Sequence, residues 1–262
     1  MKTRLDAELV RRGLARSREQ AANLIESRVV LVSGIPASKP ASQVDAETSI
    51  VVKGERDDFV SRGGHKLAGA LDHFNQVMVS GKRALDAGAS TGGFTDVLLK
   101  RGAKDVIAVD VGYGQMAWEL RKDPRVIILD RTNVRHLTLD QLGEPAELVV
   151  ADLSFISLTL VLPALVSVST PTADFLLMVK PQFEVGRDRL GAGGVVRDPL
   201  LRSAAVQDVA EAAYDMGLGC LGVVASSLPG PAGNVEYFLW LRLGNAKLGA
   251  AELEAAIVDG PQ

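Results

Sequence analysis

The chain of 262 residues is poor in the side chains that most openly advertise chemistry. It has one cysteine, Cys220, so no disulfide can close within the chain and a reducing cytosol is the expected compartment. Its three histidines, His65, His73 and His136, are scattered and with the one cysteine offer no metal-ligand spacing, so no metal is expected. No apolar run approaches the roughly 18 residues of a membrane span. The charged start, MKTRLDAELVRR, has no apolar signal-peptide core. Neither a membrane protein nor a secreted one is therefore expected. An excess of positive charge is also missing. A net charge of −3 and a pI near 5.7 exclude a protein that coats nucleic acid indiscriminately. What remains, 47% hydrophobic and 23% charged, is an ordinary soluble composition, enough for one large core and a small appendage.

The charge is uneven. Residues 1–40 carry eight Lys/Arg against four Asp/Glu, which makes them +4 and leaves −7 for the rest of the −3 total. A basic arm on an acidic body suits a polyanion-binding module joined to something else. Residues 4–27 read as two short helices, with Leu5, Leu9 and Val10 on the first apolar stripe and Ala21, Leu24 and Ile25 on the second. Gly13 breaks between them, and Ser17 with Gln20 makes a capping box. VVLV (29–32) and SIVV (49–52) are short strands separated by the turn region SGIPASKP. A small α+β unit over 1–55 follows, then a polar linker at 56–60, then a body at 61–262.

From residue 83 the rhythm changes. RALDA, DVIAVD, RVIIL, ELVVAD, DFLLMVK, LGVVA and EYFLWLR are strand-like runs, with helical segments at 94–101, 115–122, 157–167 and 199–216 between most of them. Asp198-Pro199 is a good start for the last, with Asp as N-cap and Pro at the first helical position. Strands alternating with helices predict an α/β body built on a mostly parallel, doubly wound seven-stranded sheet. Ligands of such sheets sit beyond the C-terminal ends of the strands. The tail, 246–262, reads as a weak Ala-rich helix with a frayed end.

The first strand runs into LDAGASTGGFTDVLL, where glycines allow close backbone approach and aim a helix N-terminus at a ligand. The spacing is G-x-x-x-G-G and not the G-x-G-x-x-G of pyrophosphate binders. Asp86 and the single small turn fit better around S-adenosylmethionine, which has a carboxylate and an amine but no phosphate. The next strand ends in Asp110, an acid placed to accept two ribose hydroxyls, which supports a nucleoside cofactor without choosing one. Four further ionisable residues stand against apolar neighbours. Lys66 opens a helix in SRGGHKLAGAL, Asp152 ends ELVVAD, Lys180 ends DFLLMVK, and Glu236 shares a strand face with Phe238 and Trp240. Singly, each has an ordinary reading as a solvated, capping, snorkelling or ion-paired side chain. Together, the sheet order would bring two lysines and two acids to one crevice.

In this order, beside such a loop, Lys66, Asp152, Lys180 and Glu236 resemble the K-D-K-E tetrad of the FtsJ-like ribose 2'-O-methyltransferases. RLDAELVRRGLARSREQAANLI followed by VVLVSG resembles the S4 RNA-binding domain. With VSRGGHKL, DAGASTGGFTD, DVGYGQ, DLSFISL, VKPQFEVG and PGPAGNVEYFLWL, nearly the whole chain resembles the TlyA family of rRNA cytidine 2'-O-methyltransferases. The resemblance implies a Rossmann-like methyltransferase domain in which those four residues are catalytic. It implies S-adenosylmethionine held by Asp86, Gly88, Ser90, Thr91, Gly92, Gly93, Phe94, Asp110 and Asp152. Arg4, Arg16, Arg18 and Arg62 would meet RNA. The partner would be ribosomal RNA in the small subunit, the large subunit or both, met by a cytoplasmic monomer or weak dimer. The resemblance also implies altered sensitivity to ribosome-targeting cyclic peptide antibiotics. The acidic DDF before Val60 departs from the family at the joint between domains.

In that setting a strand-end lysine has a use. A ribose hydroxyl is a very weak acid, and a neutral Lys180 would take its proton; a charged Lys180 would instead steer its lone pair. Two Gly-rich loops, 184–198 with Arg187, Arg189 and Arg197, and 226–236, read either as surface turns or as grips on RNA backbone. Phe155 and Phe183 read as core packing, with stacking on a flipped base as the alternative. A nicotinamide dehydrogenase is the competing enzyme class, disfavoured by the loop pattern and by the lack of an obvious hydride-transfer acid. A non-catalytic ribosome-binding or haemolysin-like membrane-acting protein is the competing non-enzyme class.

Overall fold

The computed structural model describes residues 3–261 except 13, 16, 46 and 54–58, with Arg187 and Ala192 described by backbone alone. The chain divides between residues 58 and 59 into two compact units.

In the smaller unit, helices Leu5–Arg11 and Arg18–Glu26 enclose Leu5, Leu9, Ala21 and Ile25 with Val30, Val44 and Ile50. Ser17 caps the second helix by accepting from the Gln20 N–H at 3.1 Å. Val30–Val32 is the middle of a three-stranded antiparallel sheet, paired with Ile50–Val52 on one side and Ile35–Pro36 on the other. The sequence reading places only turn at 33–40. A hairpin forms there because Ser33 (φ 51°) and Gly34 (φ 84°) both adopt the left-handed backbone that a two-residue hairpin turn requires.

The larger unit is built on seven strands, β1 (Arg83–Ala87), β2 (Asp105–Val109), β3 (Val126–Leu129), β4 (Ala146–Ala151), β5 (Ser169–Val179), β6 (Leu218–Ala225) and β7 (Tyr237–Leu243). Their order is β6-β7-β5-β4-β1-β2-β3. The pairs from β5 through β3 are parallel, and β7 runs antiparallel to β5 and β6. Both faces are covered, so successive strand residues feed alternate cores. Leu85, Ile107, Val149, Phe175 and Leu239 enter one, and Ala84, Val106, Leu148, Leu176 and Phe238 the other. Helices α1 (Arg62–His73) and α2 (Gly93–Lys100) supply Leu67, Leu71, Val97 and Leu98 to the second core. Helices α3 (Pro199–Asp215) and α4 (Ala250–Asp259) supply Val206, Val209, Leu253 and Ile257 to the first. The Asp198 carboxylate caps α3 by accepting from the Leu200 N–H at 2.9 Å.

Three expectations need correction. The helix expected at 115–122 shrinks to Trp118–Arg121, because Ala117 is extended (ψ 141°) and its N–H donates to the Thr91 carbonyl at 3.1 Å, tying the chain to the Gly-rich turn just before the helix. Phe59 and Val60, expected in the linker, belong to the larger unit. The Val60 N–H donates to the Asp96 carboxylate at 2.8 Å, and Phe59 lies so close to Gly64 that any side chain there would collide with it. The tail does not end in a loose helix: α4 packs into the core, and Gly260 beyond it abuts Val235, where an added Cβ would lie 2.7 Å from Cγ1.

Candidate active site

Where the strand order reverses, β1 lies between β2 and β4, and a crevice opens beyond their C-terminal ends. The Gly-rich turn occupies this position. Gly88 (φ 87°) has no room for a side chain, because a Cβ would sit 2.6 Å from the Asp152 carbonyl oxygen. Gly93, which opens α2, is pressed against Ser61 at the start of α1. These glycines thus clamp the turn between the end of β4 and the start of α1, a packing role beside the ligand-approach role expected of them. Asp110 fixes the turn from the other side. Its two oxygens accept from the Ser90 N–H at 2.9 Å and the Gly112 N–H at 2.7 Å. A carboxylate has about four acceptor sites, so this half-exposed group keeps capacity for hydroxyls.

Asp86 is placed differently from expectation. It has no exposed surface and lies beneath the turn, accepting from the Thr95 hydroxyl at 2.6 Å. Burial pushes its carboxyl up to about 7; the Thr95 hydrogen bond opposes this, and the charges of Asp152 and Asp110 add to it. It supports the turn from below through Thr95, and its side chain is not among those that line the cavities described next. Phe94 is likewise buried, tilted on Phe238 at 6.0 Å, while Thr91 is exposed on the turn.

The four residues from distant parts of the chain do converge. Lys66 donates to Glu236 at 2.5 Å, with 7% and 1% of the two residues exposed. Glu236 precedes β7 and keeps the side of Phe238 and Trp240, the face that α1 covers. Lys180, just after β5, forms an ion pair with Asp152 at 2.5 Å and donates to the Ser154 hydroxyl at 3.1 Å. All four line a cavity of about 250 Å3, together with Gly88, Ser90, Thr91, Gly93, Phe94 and Arg62. A second cavity of about 470 Å3 adjoins it and takes in Asp110, Val111 and Asn133. A third, about 860 Å3 and mostly apolar, is lined by Phe155, Phe183, Lys180 and Glu236.

The sequence pattern of the FtsJ-like methyltransferases matches residues 59–243, and that of the S4 domain matches residues 3–50. The chain belongs to the FtsJ-like methyltransferase family. It is 58% identical to the 16S/23S rRNA (cytidine-2'-O)-methyltransferase TlyA of Mycobacterium tuberculosis, over 99% of each chain. It is 35% identical to a protein named Hemolysin A from Brachyspira hyodysenteriae, over 89% of this chain and 97% of that one. A solved Streptococcus thermophilus structure that also carries a hemolysin label covers 98% of this chain and 94% of its own, with a TM-score of 0.77 and 36% identity. Among the described residues, no helix is long and apolar enough to cross a membrane.

The FtsJ-like domain holds two residues that the sequence reading missed or misjudged. Ser154 lines all three cavities and binds Lys180; its only sequence signal is its place two residues after Asp152. Phe155 is 91% exposed, with φ 64°, and its ring lies 5.1 Å from that of Phe183. It is not core, and an apolar residue between Ser154 and Ile156 gives no warning of that. Arg62 is exposed at the rim of the first cavity. In the S4 domain, Arg4 and Arg18 are both held by the Asp6 carboxylate. Arg11, which the sequence reading passed over, is held by Glu8. Arg16 and the Arg187 side chain lie outside the described residues.

Proposed function

We propose that the protein methylates the 2'-hydroxyl of a cytidine in ribosomal RNA, of the small subunit, the large subunit or both, with S-adenosylmethionine as donor. The S4 domain docks on structured RNA through Arg4, Arg16 and Arg18. The observation that carries the reading is the meeting of Lys66, Asp152, Lys180 and Glu236 in one cavity beside the Gly-rich turn. The printed activity of the Mycobacterium tuberculosis relative supports the substrate.

The residues fit this donor. The turn from Gly88 to Phe94 carries no lysine or arginine for phosphate, which suits a cofactor whose ends are an amino acid and a nucleoside. Asp110 would accept the ribose hydroxyls, Val111 and Asn133 would border the base, and Gly88, Ser90 and Asp152, shared by two cavities, would meet the middle. When bound, S-adenosylmethionine supplies an electrophilic sulfonium methyl.

Lys180 is the group placed to meet the hydroxyl, since it lines both the first cavity and the large apolar one. As an amine it accepts the hydroxyl proton, and the ammonium so formed lies against Asp152, the ion pair seen here. Ser154 fixes a second direction around Nζ, so the remaining N–H or lone pair is aimed and not left to rotate. Lys66, anchored by Glu236, places a positive charge beside the oxygen that loses its proton. The exposed pair Phe155 and Phe183 offers faces for a base drawn out of its stack. We place the reaction in the cytoplasm, carried out by a monomer or weak dimer.

The test is a map of 2'-O-methyl groups on rRNA from cells with and without the protein. One or more cytidine methyl groups should vanish in its absence. An unchanged map refutes the proposal.

A further inference from the structure

The S4 domain buries two acids beneath arginines. Asp6 is 4% exposed and Glu8 2%. Arg4 closes a fork on Asp6 through Nε and Nη2, at 3.0 and 2.8 Å, and Arg18 Nη2 adds a third bond at 3.0 Å. Arg11 makes the same kind of fork on Glu8, at 2.7 and 2.6 Å. The side chains of Arg4, Arg11 and Arg18 nevertheless stay 45%, 61% and 60% exposed. A guanidinium has five N–H donors, and a carboxylate fork uses two. In both forks these are the Nε–H and one Nη2–H, so the Nη1 edge of Arg4 and of Arg11 takes no part.

Two effects compete. Each carboxylate cancels charge that a polyanion would otherwise feel. Each also holds an arginine in one rotamer, which removes an ordering cost from binding. The cancelled charge acts at the surface, where salt screens it beyond about 8 Å. The fixed geometry acts at contact, where a phosphate oxygen meets a planar donor edge.

We propose that Asp6 and Glu8 are positioning residues for RNA, presetting Arg4, Arg18 and Arg11 as a grip on the phosphodiester backbone. The proposal rests on the reading of Arg4 and Arg18 as RNA contacts. It assigns Arg11 to the same surface and gives the buried acids a role beyond capping, although Asp6 also accepts from the Ala7 N–H at 2.8 Å. The forks are stable to mild acid. Arg4 above all holds the Asp6 carboxyl well below the usual carboxylate range, and Arg11 does the same for Glu8.

The experiment measures binding of the full chain to a transcribed fragment of large-subunit rRNA over a range of salt, for wild type, Asp6→Asn, Arg4→Ala, Arg18→Ala and the combination of all three. Asp6→Asn removes a negative charge from a polyanion-binding face, so charge alone makes binding tighter. Positioning makes it weaker, by about tenfold at fixed salt, with no further loss when Asp6→Asn is added to Arg4→Ala and Arg18→Ala. Asp6→Asn binding as tightly as wild type, or more tightly, overturns the proposal. If Arg4→Ala and Arg18→Ala bind like wild type, the RNA-contact reading itself falls. Should Asp6→Asn unfold the domain, the wild-type protein still decides. Resolved, slowly exchanging Nε–H resonances for Arg4 and Arg11 in the RNA-free protein are expected. Averaged signals at the free-arginine position overturn the proposal.

Discussion

In the proposed mechanism Lys180 and its neighbours set the chemistry, and each admits a sharp test. Lys180→Arg keeps a charge but has no amine form, so it should lower methyl transfer by about 10²- to 10⁴-fold while RNA binding in a filter assay stays within about twofold of wild type. If Lys180 only steers, the arginine retains much of the rate. Ser154→Ala should lower kcat by about tenfold with little change in KM, because the lost contact fixes a reacting amine and not the substrate; a loss confined to KM would make Ser154 an RNA contact instead. The Lys66–Glu236 pair is buried, so Glu236→Ala leaves an unpaired ammonium and should cost about 3–5 kcal/mol of stability. Lys66→Met with Glu236→Met should recover most of the melting temperature and none of the turnover. Asp86 provides a pH signature. Unfolded, an aspartate titrates near about 3.9; folded, this one holds its proton up to about 7. The folded state therefore binds the extra proton between those values, and stability declines as pH rises through that window. Asp86→Asn should remove the decline, so the gap in melting temperature between the variant and wild type should shift in the variant's favour from pH 5 to 7.5. A constant gap would show that Asp86 does not titrate there.

At the level of elements, the Gly-rich turn and the aromatic side chains near it are held by different forces. Gly88→Ala combines a positive φ with a collision against the Asp152 carbonyl and should weaken both fold and cofactor binding, read by thermal melting and by calorimetry with S-adenosylmethionine. Phe155→Ala removes a ring that is 91% exposed and should cut activity while leaving the melting temperature almost unchanged. Phe94→Ala removes a ring only 3% exposed and should cost about 3–5 kcal/mol. The sequence made the seven strands and α3 plain because burial on both faces leaves near-continuous apolar runs and because Asp198-Pro199 marks a helix start. It exposed the Lys66, Asp152, Lys180 and Glu236 set because each interrupts or ends an apolar pattern. It hid what depends on side-chain partners far away in the chain. Asp86 reads as a strand-end acid until Thr95 and the covering turn are placed over it. Phe155 reads as core because only the tertiary course of the 152–157 loop turns it outward. The acids beneath Arg4 and Arg11 show only when the guanidinium forks are drawn.

For the whole molecule, the division into a nearly neutral small unit, +1 over residues 1–58, and a larger acidic one, −4 over 59–262, suits an enzyme that finds its site by shape and not by charge. The S4 domain is too short and too mildly basic to hold naked RNA tightly at physiological salt. Assembled ribosomal subunits should therefore be methylated faster than protein-free rRNA, and raising salt should widen the difference. Equal rates in a tritium-transfer assay would contradict this. The course of the chain's end has a consequence of its own. Because Gly260 rests against Val235, one residue before Glu236, the last turn acts as a backstop for an acid in a cavity it never enters. Removing the final dozen residues should thus lower methyl transfer from outside the cavity, in a chain that still carries Lys66, Asp152, Lys180 and Glu236; unchanged transfer by the shortened protein would refute this.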